Sequence, residues 1–347
     1  MVEPFPELRR PVVVAPMAGG PSTPELVIAA SAAGALGFLA AGYKMAAAMR
    51  TEMAAVEASG IRQYGVNVFV PGAPAADPEA VRGYVADLAT EADKLGVQPG
   101  EPSWNDDDWD AKVAALLDHP PPVVSFTFGC PEAGVVAALQ AAGSAVWVTV
   151  TEPGEAAVAA ARGAGGLCVQ AAAAGAHRGT FSDGPRDAPD RPLPQLLHDV
   201  AEVTGLPLVA AGGITSQPDV AAALAAGAVA VQCGTAFLRC PESGAHPVHK
   251  AALADPRFTQ TAVTRAFSGR PARGLVNRFM LDHPSAPPAY PEINNATRPL
   301  RAAAAAAGDT GRMSLYAGEG FRAATDRPAA EQPADEIIER LSVTGSS

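Results

Sequence analysis

Short apolar runs, each followed by a longer Ala-rich stretch of helical character, recur eight times along the chain. The runs are Val12 to Ala15, Leu36 to Ala40, Tyr64 to Phe69, Val123 to Phe126, Ala145 to Val150, Leu167 to Gln170, Leu208 to Ala211 and Ala228 to Gln232. Most are apolar on both faces, the pattern of parallel strands with helices outside and packed side chains inside. Pro24, Pro131, Pro153 and Pro218 open helical stretches, and Gly34, Gly143, Gly163 and Gly227 follow them as candidate left-handed caps. Eight repeats of strand, loop, Pro-started helix and Gly predict an α/β chain folded as a (β/α)8 TIM barrel.

Two stretches break the rhythm. Within residues 1–240, the expected barrel, a less regular insertion spans about 70–120 and carries Trp104-Asn105-Asp106-Asp107-Asp108-Trp109, whose acids fit a solvated turn or helix start. Residues 241–325, rich in Arg, Pro, Asn and Tyr, predict a smaller C-terminal lid or substrate region. Residues 326–347, with an amphipathic piece at Ile337-Ile338, read as a peripheral tail.

Composition narrows the function classes. A hydrophobic content of 48% in 347 residues supports a large core and excludes a disordered or fibrous chain. The net charge of −11 and the lack of a basic block argue against nucleic acid as a partner. No apolar window is long and clean enough to predict a membrane span, and Met1 to Arg10 is too charged and Pro-broken for a secretory leader. Cys130, Cys168, Cys233 and Cys240 lie far apart without a CxxC pair, which fits reduced thiols in a cytoplasmic protein and no metal site. His246 and His249, three apart around Pro247, fit surface residues of a short turn better than metal ligands.

A parallel barrel presents its reactive groups at the C-terminal ends of the strands. There the first strand leads into Ala15-Pro16-Met17-Ala18-Gly19-Gly20, a small-residue turn that a planar ligand can approach, with Met17 either a contact or a core plug. The third carries Asn67, whose amide can meet a heteroaromatic edge or bond a neighbouring turn. The sixth ends in Gln170, a ligand contact or a partner for buried backbone groups, and runs on to Gly175, Ala176, His177, Arg178 and Gly179. Gly212-Gly213 after the seventh strand and Gly234-Thr235 after the eighth stand where barrels build phosphate sites from bare backbone amides, although each pair alone also suits a simple turn.

Together these segments resemble the nitronate monooxygenases, formerly called 2-nitropropane dioxygenases. The resemblance runs in order from about residue 11 to 325. It includes Gly65-Val66-Asn67-Val68-Phe69, Gly175-Ala176-His177-Arg178-Gly179, Arg265 to Gly274 and Tyr316-Ala317-Gly318-Glu319-Gly320. It implies an FMN-bound barrel that oxidises alkyl nitronates with O2 to a carbonyl compound and nitrite. It implies His177 as the catalytic base, Met17, Asn67, Gln170 and Gly175 as flavin contacts, and Gly212, Gly213, Gly234 and Thr235 around the phosphate. The loop departs from the family pattern: Ala171, Ala173 and Ala176 replace Gly, Glu and Gly, so His177 is expected to shift, and Glu319 in place of Gln is expected to bring a negative charge toward the flavin or the substrate mouth.

Other readings keep the barrel. An FMN enzyme using NAD(P)H, of the enoyl-acyl-carrier-protein reductase or quinone reductase type, needs no dinucleotide fingerprint. A flavin-binding module that lost turnover through its Ala substitutions, and a phosphate-binding barrel without flavin, complete the set. A monomer or homodimer acting on a small nitronate or nitroalkane with O2 is the leading expectation.

Overall fold

The computed structural model describes residues 6–183 and 190–331. Eleven strands occur among them: β1 Val12–Val14, β2 Leu36–Ala40, β3 Gly65–Phe69, β4 Val123–Thr127, β5 Ala145–Val150, β6 Gly166–Gln170, β7 Ala176–His177, β8 Leu208–Ala211, β9 Ala230–Cys233, β10 Thr261–Thr264 and β11 Ala272–Leu275. β1 to β6, β8 and β9 form a closed parallel barrel, sealed by β9 against β1 with Val13 opposite Gln232. The eight runs read from the sequence are these eight strands, three of them with the same ends and the rest displaced by one or two residues. The chain is a (β/α)8 barrel.

Local chemistry explains the repeat. Helices Pro24–Ala32, Pro153–Ala161 and Gln217–Ala225 carry Pro in their first turn, where the missing N–H costs nothing. Thr23 and Ser216 cap two of them, their hydroxyls accepting from Leu26 and Asp219 amides. Gly34, Gly143, Gly163 and Gly227 all adopt positive φ after their helices, as the caps require. Inside the barrel, Val13, Leu36, Phe38, Val123, Trp147 and Val209 form one buried cluster. Gly65 begins β3 because a Cβ there would lie 2.2 Å from the Phe38 ring. Glycine on one strand thus makes room for a large side chain on the next.

The less regular stretches have defined places. Helix Trp109–Asp118 packs with helices Ala46–Ala58 and Ala133–Ala142 and completes the barrel wall between β3 and β4. Helices Pro78–Asp87 and Ala89–Leu95 pack instead on the long helix Glu292–Ala306. β10 and β11 pair antiparallel, and β11 pairs with β7, with Ala272 opposite His177. This three-stranded sheet ties residues 261–275 to the loop after β6. Ile337-Ile338 lie outside the described residues. No helix among the described residues is long and apolar enough to cross a membrane.

Candidate active site

A cavity of about 660 Å³ opens at the C-terminal ends of the barrel strands. It has the size of a pocket for a small molecule or cofactor. Its wall contains Met17, Asn67, Gln170, Gly175, His177, Gly212, Gly213, Gly234 and Thr235, so the structure brings every candidate residue to one place.

Asn67 is buried in β3, and its amide nitrogen donates to Ser125 O at 3.2 Å, Ser125 Oγ at 2.9 Å and Thr127 Oγ1 at 3.0 Å. A backbone carbonyl can only accept, which fixes the orientation of the amide and leaves Oδ1 as its group for a ligand. Its bonds go to the adjacent strand β4 rather than to a turn. Gln170 spends both ends on the backbone of the following loop, with Nε2 donating to His177 O at 3.1 Å and Oε1 accepting from Gly179 N at 2.8 Å. It therefore sets the path of the chain on both sides of His177.

Ala176 adopts φ +61°, the left-handed region that glycine enters freely and that costs an L-residue about 1–2 kcal/mol. The pairing of β7 with β11 and the two Gln170 bonds hold it there. The Ala173 segment is held as well: Ala172 O accepts from Arg273 Nε at 2.8 Å and Ala173 O from Glu319 N at 3.1 Å. Glu319 corrects the expectation placed on it. Its carboxylate pairs with Arg273 at 3.1 Å, is 57% exposed and lies outside the cavity wall.

His177 stands among aromatic rings, with centroids 5.3 Å from Tyr316 and 5.8 Å from Phe128 and Tyr290. Burial, then the nearby Arg270 and Arg301 guanidinium groups, push its pKa down to about 3, so the imidazole is neutral at pH 7. Nε2 lies 2.8 Å from Ser268 Oγ. The ring wall continues through Phe128, Phe69 and Tyr43, and the Tyr290 hydroxyl meets the Tyr43 hydroxyl at 3.2 Å. Burial raises the pKa of Tyr43, Tyr290 and Tyr316, leaving neutral hydroxyls.

Two more expectations change. The acid run stands at a helix start, in the turn before helix Trp109–Asp118, but Asp107 is not left to solvent: Oδ1 accepts from Tyr43 N at 2.9 Å, and Oδ2 is 2.7 Å from the fully buried Lys112 Nζ. That buried pair holds Tyr43 at φ +66°, a conformation a bulky residue adopts only under such constraint. His249 is buried rather than on the surface, its Nε2 3.0 Å from Tyr316 O, while His246 caps helix Pro247–Ala254. Neither belongs to a metal cluster, and none occurs among the described residues. Arg265 and Arg270 converge on Asp183, after β7, Arg265 donating to its backbone carbonyl at 2.7 Å and Arg270 pairing with its carboxylate at 3.1 Å. Burial raises the thiol pKa of Cys130 to about 11 and of Cys233 to about 12, so neither is poised as a nucleophile.

The aromatic wall is what motif reading missed. The chain has five tyrosines, and Tyr43, Tyr290 and Tyr316 all gather here. Tyr43, Phe69 and Phe128 stand at the ends of β2, β3 and β4, the positions where a barrel shows its reactive face. The charge of the wall also departs from the whole chain. Lys44, Arg298 and Arg301 line the cavity, and no Asp or Glu among the described residues does.

The model of the family described as nitronate monooxygenase matches residues 6–343. A nitronate monooxygenase from Pseudomonas aeruginosa is 39% identical over 334 residues, covering 93% of this chain and 94% of its own. A probable nitronate monooxygenase from Bacillus subtilis is 32% identical, with 96% of each chain covered. Among solved structures, a nitroalkane oxidase from Streptomyces ansochromogenes superposes with a TM-score of 0.93 at 48% identity, covering 97% of this chain and 98% of that one. FabK from Thermotoga maritima, at 24% identity and a TM-score of 0.71, covers 98% of this chain and 95% of its own and shares the fold. The closed barrel and matches over nearly the whole chain agree: the chain belongs to the nitronate monooxygenase family of oxidoreductases.

Proposed function

We propose that this protein oxidises small nitronates and nitroalkanes with FMN and O2, yielding a carbonyl compound and nitrite. The observation that carries the reading is the cavity itself, whose wall holds a neutral His177 and three cations and, among the described residues, no Asp or Glu. Such a wall favours an anion such as a nitronate, and the imidazole can take or hold one proton. The P. aeruginosa and S. ansochromogenes relatives, a nitronate monooxygenase and a nitroalkane oxidase, support the same chemistry.

The residues fit FMN. The amides of Gly212, Gly213 and Gly234 line the cavity at the ends of β8 and β9 and make no hydrogen bond among the described residues. Free amides converging at strand ends are the donor set a phosphate takes. With Thr235 they would hold that group, while Met17, Asn67, Gln170 and Gly175 would face the ring. FMN supplies, when bound, the electron-accepting ring and the route to O2. The chain supplies the rest: the aromatic wall excludes water, the cations attract the substrate, and His177 positions it or removes its proton. Residues 241–325 would cover the substrate side, since helix Glu292–Ala306 contributes Asn294, Arg298 and Arg301 to the wall.

Purified protein should show a flavin absorption band and release nitrite from propionate 3-nitronate or an alkyl nitronate. His177→Ala should retain the band and lose about 10²- to 10⁴-fold in turnover of a neutral nitroalkane. Protein that stays colourless after FMN is supplied overturns the cofactor. A flavin indifferent to nitronate but bleached anaerobically by NAD(P)H at a catalytic rate replaces the oxidation with the reductase reading.

A further inference from the structure

Ser268 lies in the turn between β10 and β11, 1% exposed, and the pairing of Ala272 with His177 brings that turn against the imidazole. Its Oγ makes hydrogen bonds with three atoms, His177 Nε2 at 2.8 Å, Arg270 O at 3.2 Å and Arg270 N at 3.3 Å, and the buried Tyr316 hydroxyl stands beside it outside hydrogen-bond geometry. A hydroxyl has one hydrogen and two lone pairs, and the neighbours dictate their use. Arg270 N–H donates to one lone pair. Arg270 O can only accept, so it takes the hydroxyl hydrogen. The remaining lone pair faces Nε2, which must then carry a hydrogen. The opposite arrangement would aim the hydroxyl at Nε2 and leave two oxygens 3.2 Å apart with no hydrogen between them, one of them a buried carbonyl without a donor.

We propose that Ser268 is a positioning residue for His177, holding it as the Nε2–H tautomer and leaving the Nδ1 lone pair to face the ligand. His177 lines the cavity, and Nδ1 has no hydrogen-bond partner among the described residues. The tautomer of a histidine is set by the bond its other nitrogen makes. Burial and the Arg270 guanidinium keep the ring neutral, so this lone pair is free at pH 7. With a neutral nitroalkane the α C–H bond breaks, its proton forms Nδ1–H, and its electron pair stays on the substrate as the nitronate. The resulting imidazolium carries hydrogens on both nitrogens, and Ser268 already accepts the second, so no partner has to turn during proton transfer. This catalytic consequence rests on the oxidation proposed above; the tautomer itself does not.

Long-range 1H–15N correlation spectra of the full chain carrying 15N-histidine report both ring nitrogens, with the His177 signals identified by their loss in His177→Asn. Wild type should show a protonated Nε2 and an unprotonated Nδ1 at neutral pH. Ser268→Ala should populate both tautomers, and Ser268→Thr, which keeps the hydroxyl, should restore the single form. Hydrogen on Nδ1 in the wild type overturns the inference, as does a Ser268→Ala protein that keeps pure Nε2–H. In turnover, Ser268→Ala should lose about tenfold or more in kcat/KM with a neutral nitroalkane and no more than about threefold with the preformed nitronate, which needs no proton removed. Equal losses on both substrates overturn the role in proton transfer. A wild type that shows the single tautomer but oxidises neither substrate overturns the proposed function and not the tautomer.

Discussion

The imidazoles of the cavity are held neutral by burial, and that has a measurable cost in acid. His177 is pushed down to about 3 and His249, fixed to Tyr316 O, to about 4, against about 6.5 when unfolded. Between those values the unfolded chain binds protons that the folded chain refuses, so stability rises with pH across the window. The contribution is complete above about pH 6.5 and falls away as the pH drops toward 4. Each histidine adds a slope of about 1.4 kcal/mol per pH unit there. His249→Gln removes one titrating group while keeping a donor for Tyr316 O. Urea unfolding at pH 6 and pH 5 should therefore show a pH slope smaller by about 1.4 kcal/mol per unit in the variant. An unchanged slope would mean that His249 is protonated in the folded protein.

At the scale of elements, the loop after β6 depends on a close approach that leaves no room for a methyl group. A Cβ on Gly175 would lie 2.5 Å from Gly318 N and 2.6 Å from Ala317 C, both backbone atoms that cannot swing aside. Gly175→Ala should destabilise by about 1–3 kcal/mol, seen as a drop of a few degrees in Tm, and should separate the His177 loop from residues 316–320. An unchanged Tm would show that the two segments move apart freely. The two partners in that contact show which parts of the structure were legible. The eight barrel strands were, because each buries both faces and each helix between them is punctuated by Pro and Gly within a few residues. The sheet of β7, β10 and β11 was not. Two residues of β7 pair with a strand about a hundred positions later, and so short a run has no periodicity to read. The cavity glycines, Gln170 and His177 were legible from their places at strand ends. The supports behind them were not: Ser268, the buried Asp107–Lys112 pair and Tyr290 act through long-range contacts that a linear motif does not carry.

For the whole molecule, the distribution of charge matters more than its sum. The chain carries −11, which repels an anionic substrate at long range, yet Lys44, Arg298 and Arg301 line a cavity without a single Asp or Glu among the described residues. Glu52 partners Lys44 at 2.6 Å, and Asn294 and Thr297 accept from Arg301. Arg298 makes no hydrogen bond or ion pair among the described residues, so its field is the one least compensated by protein. Attraction inside a low-dielectric pocket then works against the repulsion outside it, and salt acts on the exposed cation that stands between them. Raising the salt from about 0.1 M to 1 M, where screening shortens from about 10 Å to about 3 Å, should raise KM for an anionic nitronate several-fold and leave KM for a neutral nitroalkane unchanged. Arg298→Gln should reproduce the high-salt KM at low salt, flatten the salt response and keep kcat, since a charge that attracts substrate without touching the reacting atoms changes binding and not the chemical step. A nitronate KM that ignores both salt and Arg298→Gln would place the recognition of charge deeper, on Arg301 and the backbone amides, and would make the outer cations irrelevant to substrate capture.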